Sequence, residues 1–214
     1  MLTTPVWAQR DAAEPGAPNT SWHFAASDHT YLTPRWQAGV LLPTMGEAVA
    51  VTHLRYDLKT RRVEVRTADG VRTYDPTVLS GFRVYESPES VRTFVRTFNP
   101  GHLGERLVFM ELVYDGARPV LVHRRLLQKP TRPRSDALRT HGRTVVSPEL
   151  YTLDARDCPV RLPRSRRAAR YFFADLHTKV EGYARHHGLR LRRHEDAVQL
   201  MAYYNDLQSE RAAR

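Results

Sequence analysis

VAVTHLRYDLKTRRVEVRT, residues 49–67, decides the fold. Leu54, Tyr56 and Leu58 alternate with Arg55 and Asp57, and Val63 and Val65 alternate with Glu64 and Arg66. A period of two sends successive side chains to opposite faces, which marks half-buried strands. A turn centred on Thr60-Arg61 predicts Leu58 opposite Val63 and Tyr56 opposite Val65. Leu54, Tyr56, Leu58, Val63 and Val65 then share one buried face, with Arg55, Asp57 and Glu64 on the other. Asp69-Gly70 predicts a second hairpin turn, returning the chain so that Tyr74 falls opposite Val65.

Working outward, Asp115-Gly116 is a third hairpin signal, between 106–114 and 117–126. Both faces are apolar there, with Val108, Met110, Leu112 and Leu121 on one and Phe109, Val120 and Val122 on the other. This predicts a central hairpin covered on both sides. Upstream, 27–37 carries Tyr31, Leu32, Pro34 and Trp36 and reads as a turn-rich lead-in with aromatic anchors. Val40-Leu41-Leu42 opens the first strand, and Met45-Gly46-Glu47 is a turn. Phe82 and Val84 mark a further strand beyond the Asp75-Pro76 turn, and Phe94 and Phe98 share a face of 91–98. Residues 128–143 hold Pro130, Pro133 and five Lys or Arg, and read as a long exposed basic loop. A last short hairpin is expected from 150–153 and 160–162 around Asp154–Asp157.

The period then changes to about 3.6. Ser165 is placed to cap a helix running through Phe173. Leu176, Val180, Tyr183, Ala184 and His187 make a second helical face, with Gly188 as its stop. Ala197, Leu200, Met201, Tyr204 and Leu207 make a third, led by Glu195-Asp196. The expected class is α+β: an antiparallel β-meander or partly closed sheet followed by two or three short C-terminal helices. The expected organisation is a disordered leader at 1–26 that reads as the remnant of a signal peptide, an antiparallel β domain at 27–163, and a helical tail at 164–208 packed on the sheet.

At 214 residues, 41% of them hydrophobic, the chain suits one domain with a sizeable core. It has no apolar run of about 18 residues, so no membrane-spanning helix is expected. The formal net charge is +10, and lysine occurs only at Lys59, Lys129 and Lys179. Arginine therefore dominates. The positive charge is segregated: 118–143 has eight basic residues against Asp136, and 161–193 has ten against Asp175 and Glu181. Three readings stay open. The arginines reflect a GC-rich genome and two solvated segments, or they form a face for an anionic envelope component, or they bind nucleic acid. Candidate anion contacts are Arg132, Arg134, Arg164, Arg166, Arg167 and Arg170. Against nucleic acid, the basic blocks lack interleaved aromatics except Tyr171–Phe173, which read as core.

No sequence motif carries chemistry. Glycine-rich phosphate loops and the G-x-S-x-G elbow are absent from the sequence. His177 and Glu181 share a helical face, but the H-E-x-x-H spacing is missing, and the histidines read as surface groups. Asp154 and Asp157 read as turn caps and Glu195-Asp196 as a helix start. The sequence calls for no metal, no cofactor and no catalytic residue. A hydrolase with scattered site residues is the third-ranked reading. The lone Cys158 excludes an intrachain disulfide and reads as a small buried hydrophobe at a turn.

The strand Leu54-Arg55-Tyr56-Asp57-Leu58, then Val63-Glu64-Val65, Met110-Glu111-Leu112-Val113-Tyr114-Asp115-Gly116 and the closing Tyr203-Tyr204-Asn205 occur in an order that resembles a family of exported, β-rich Gram-negative proteins. That family has a C-terminal helical tail and no established activity, so the resemblance assigns no functional residue. It spans roughly Asp28 to Asp206. It implies export, because members open with a signal peptide ending near an Ala-Gln pair. Val6-Trp7-Ala8-Gln9 has the small residues at −3 and −1 of such a cleavage site, without the usual basic start and apolar stretch. Either those lie upstream of Met1 or the likeness is accidental. The leading expectation is an exported, non-enzymatic envelope protein in the periplasm or outside the cell. It would bind or build through a basic face. The alternative is a cytoplasmic nucleic-acid-binding protein.

Overall fold

The computed structural model describes residues 30–87, 89–100, 107–129 and 143–213. The leader at 1–26 and most of the basic loop, with Arg132 and Arg134, lie outside the described residues. Among the described residues ten strands form one antiparallel sheet: β1 (Gln37–Pro43), β2 (Val49–Asp57), β3 (Arg62–Thr67), β4 (Gly70–Tyr74), β5 (Leu79–Ser87), β6 (Ser90–Phe98), β7 (Leu107–Tyr114), β8 (Val120–Lys129), β9 (Arg143–Leu153) and β10 (Pro159–Arg161). Three helices follow, α1 (Arg166–Phe173), α2 (His177–His186) and α3 (His194–Ala212), with a 3-10 turn at Ala174–Leu176. The α+β class with a C-terminal helical set is observed. β8 and β9 reach Lys129 and Arg143, further into the expected loop than alternation alone indicated.

The sheet order is β10-β9-β8-β7-β6-β5-β1-β2-β3-β4. Each strand neighbours the next except at one step, from β4 to β5. Only Asp75–Val78 joins them, although three strands lie between them in the sheet. Five Cα steps reach about 18 Å at most, whereas four spacings in a flat sheet measure about 19 Å. The connector is shorter still, because the N–H groups of Val78 and Leu79 both bond to Asp75 O at 3.3 Å. The sheet must therefore roll. Gly39 and Gly81 allow it: a Cβ on Gly39 would strike the carbonyl of Arg83, and one on Gly81 the carbonyl of Phe94.

Inside the roll lie Leu41, Leu54, Tyr56, Leu58, Val63, Val65, Phe82, Val84, Phe94 and Phe109. Phe82 and Phe94 stack with centroids 4.5 Å apart, and Phe109 meets Phe82 edge-on at 5.1 Å. The five apolar residues of the first hairpin are thus buried together, but their register differs from expectation. Tyr56 pairs with Val63 and Leu54 with Val65, two residues from the symmetric turn. Asp57 is the reason. It is buried, and its carboxylate accepts the N–H of Lys59 at 2.8 Å and the hydroxyl of Thr60 at 2.9 Å. That opens a four-residue turn, 58–61, closed by Arg61 at φ 58°. Leu58 leaves the ladder yet still fills the core, and Tyr74 moves opposite Val63. A shift of two keeps every side chain on its face.

The β7–β8 hairpin is buried on both faces. Val108, Met110 and Leu121 form a cluster with Tyr151 on one side. On the other, Val120 and Val122 join Leu150 and the helices through Phe173, Leu176, Val180, Leu200, Met201, Tyr204 and Leu207. Phe98 is half-exposed although it shares a face with buried Phe94. Cys158 corrects the sequence reading: it is exposed in the β9–β10 turn. Asp154 holds that turn by accepting the N–H groups of Arg156 and Cys158 at 2.8 and 2.9 Å. Those bonds pull its carboxyl below the usual value.

A candidate anion-binding cleft

Ser165 caps α1 by accepting the Ala168 N–H at 3.3 Å. The cap turns Ala169 and Phe173 into the helical core and leaves Arg164 and Arg166 at the helix start, exposed. α2 buries Val180, and Gly188 ends it at φ 66°. The Leu189 N–H then bonds to Ala184 O at 2.8 Å, a closure that a left-handed residue permits. Beyond it the chain makes a tight turn, with the Arg193 N–H bonded to Arg190 O at 2.9 Å. Leu189 and Leu191 pack against the helical core, while Arg190, Arg192 and Arg193 stay exposed. Asp196 anchors this connector by accepting the Arg190 N–H at 2.7 Å.

These pieces enclose a cleft of about 640 Å³. Its floor is apolar, from Ala169, Phe173, Val180, Ala184, Leu189, Leu191 and Leu200. Its rim carries Arg164, Arg166, Arg185, Arg190, Arg192 and Arg193, with His177 and Glu181 in the wall. Glu181 is the one acid there. It lies 3.7 Å from Arg185 and 3.8 Å from His177. The other five guanidiniums make no ion pair among the described residues. Like charges crowded around a concave, partly apolar surface raise the local potential for an anion.

Of the residues singled out from the sequence, Arg164 and Arg166 line this cleft. Arg167 and Arg170 lie on α1, exposed but not among its lining residues. Arg185, Arg190, Arg192 and Arg193, which are not among the candidates singled out from the sequence, line it as well. The signal that could have found them is the alternation Leu189-Arg190-Leu191-Arg192 directly after a helix-stopping glycine. Tyr171 is a correction: it is 75% exposed rather than core, although Phe173 beside it is buried. Among the described residues no three His, Cys, Asp or Glu side chains converge as a metal site.

A second charged cluster has the opposite character. Phe94, Glu111 and Val122 face one another across β6, β7 and β8, so Glu111 sits between the rolled core and the helical core. Arg92 donates to Glu111 at 2.7 and 2.9 Å and to Glu86 at 2.8 Å. Arg124 donates to the same Glu111 carboxylate. Two cations meet two anions, and the quartet is neutral. Burial pushes the Glu111 carboxyl up, but the hydrogen bonds from Arg92 and the charges of Arg124 and Arg92 outweigh it and hold it below its usual value. Arg124, counted in the first basic block, is thereby removed from any basic face. His194 lies between these two regions. Burial, with the charges of Arg164 and Arg124, holds its ring below the usual imidazole value.

The stretch Tyr203-Tyr204-Asn205 is a clamp. Asn205 is buried, accepts the Arg118 N–H at 2.9 Å and donates to the Arg118 carbonyl at 2.9 Å. Arg118 lies over the Tyr204 ring at 5.6 Å, and Tyr203 stacks on Tyr183 at 4.0 Å. The closing motif thus ties α3 to the turn that follows Asp115-Gly116. No described helix is long and apolar enough to cross a membrane. Comparison with protein-family models, curated proteins and solved structures returns no match.

Proposed function

We propose that this chain is an exported, non-enzymatic binding protein of the cell envelope, and that it takes an anionic ligand at its helical end. The observation that carries the binding part is the cleft rimmed by Arg164, Arg166, Arg190, Arg192 and Arg193, none of them in an ion pair among the described residues. Arginines placed for stability acquire partners, as Arg92 and Arg124 do. Five unpartnered guanidiniums around one concavity repel each other and gain most from an outside anion. The support for export is the Val6-Trp7-Ala8-Gln9 stretch and the family resemblance.

The test is binding of the purified full chain to inorganic phosphate, alkyl carboxylates, acidic polysaccharide, anionic vesicles and RNA at low ionic strength, followed by a salt titration. Salt-sensitive binding that drops when Arg164, Arg166, Arg192 and Arg193 become Gln supports the reading. No affinity for any of these anions overturns it. Preferential binding of RNA would favour the nucleic-acid alternative, which the exposed Tyr171 beside Arg167 and Arg170 makes worth including. Cell fractionation tests the export part separately.

A further inference from the structure

We infer that the occupant of the cleft is a single-chain amphiphile with an acidic head, such as a long-chain carboxylate or a monoacyl phosphate. The inference rests on the anion-binding reading and narrows it. A site for a bare anion needs convergent donors and little else. A groove for an acidic polymer is wet and polar along its length. This cleft instead sets cations on its rim above a floor of seven apolar side chains. Half-buried Ala184, Leu189 and Leu191 leave that floor open to a ligand, with fully buried Val180, Phe173 and Leu200 behind it. About 640 Å³ suits a small molecule that places most of its surface inside the protein. An alkyl chain gains by leaving water for such a floor, and its head then lies within reach of Arg164, Arg166, Arg192 or Arg193. The site is concave. None of the apolar side chains that line it is exposed, so the geometry favours one detached molecule over a bilayer surface.

The experiment is isothermal calorimetry on the full chain with octanoate, decanoate and dodecanoate, each below its micellar concentration. Octanol, decanol, acetate, inorganic phosphate and phosphatidylglycerol vesicles are the comparison ligands. Affinity should climb about fourfold for each methylene added, the transfer gain of one buried CH2, until the chain outgrows the cleft. Decanol should bind at least about tenfold more weakly than decanoate, the scale of one lost charge-assisted contact. Ala184→Trp should remove the chain-length dependence while leaving a weak, salt-sensitive affinity for phosphate. Arg164→Gln with Arg193→Gln should weaken decanoate and leave decanol unchanged. Circular dichroism checks that both variants fold, and the chain-length series on the unaltered protein stands whatever the variants do. If phosphate binds as tightly as dodecanoate, the amphiphile is wrong and the anion site survives. Equal affinity for decanol and decanoate, or binding to vesicles but to no monomeric carboxylate, also overturns the inference. If no anion binds, both readings fall.

Discussion

Arginines at the two ends of this molecule live by different rules. In the sheet several are spent internally. Arg55 pairs with Glu64 at 2.7 Å and stacks over Tyr31 and Trp36, Arg92 and Arg124 share Glu111, and Arg161 pairs with Glu149 at 2.9 Å. Among the helices, Arg211 pairs with Asp175 and Arg185 approaches Glu181, but five rim arginines have no acidic partner among the described residues. Burial forces the difference. A charge taken out of water needs a partner and further hydrogen bonds, or the fold loses several kcal/mol. A charge left at a surface is cheap to leave unpaired and free to meet a ligand. Net charge alone hides this, because the same residue type does both jobs.

The contrast breaks most directly at Glu111. Glu111→Gln should destabilise the protein by about 3–5 kcal/mol near neutral pH, since it removes the carboxylate that Arg92 and Arg124 share between two cores. Chemical denaturation measures this. The pH dependence has a definite sign. The folded Glu111 pKa lies below its unfolded value of about 4.3, so its contribution is present above that pH and lost as pH falls through the folded value. The gap between wild type and Glu111→Gln should therefore narrow on acidification below about pH 4. A constant gap would show that Glu111 acts by packing and not by charge.

Next in size is Leu200→Ala, in the core beneath the cleft, at about 2–5 kcal/mol in the same assay. Asn205→Ala should cost about 1–3 kcal/mol, because it leaves the Arg118 N–H and carbonyl without their partners. Hydrogen exchange would then show faster opening at the β7–β8 turn than in the rolled core. The smallest effect sharpens the comparison from the other side. Arg164, Arg166, Arg192 and Arg193 changed together to Gln should leave the unfolding midpoint where it is, while ligand affinity drops. A large loss of stability would mean that these arginines are structural after all.

Local patterns were legible where one period dominated. The faces of 54–58 and 63–65, the double-sided hairpin around Asp115-Gly116, the Ser165 cap and the Gly188 stop all follow from spacing and residue type. The first hairpin's register was missed because symmetry was assumed for the turn. Asp57 two residues before Lys59 was the available clue, since an aspartate there can gather the next amides. Cys158 and Tyr171 are exposed although their residue types favour burial, because burial depends on what packs against a side chain. The cleft was half legible. Arg164 and Arg166 stood out as a charge run, whereas the connector arginines count only once α2 and α3 fold back on each other.

The strands, their buried faces, the three helical faces and the division of positive charge follow from sequence, because these depend on residues within one turn or one strand of each other. Only the tertiary structure decided that β1 enters between β5 and β2, that the sheet rolls, and which arginines find acids. Arg92, Glu111 and Arg124 lie on three different strands, and β-sheet register alone brings their charges together. The arginines of the cleft are likewise distinguished by what the fold fails to bring near them, and no count along the chain contains that information.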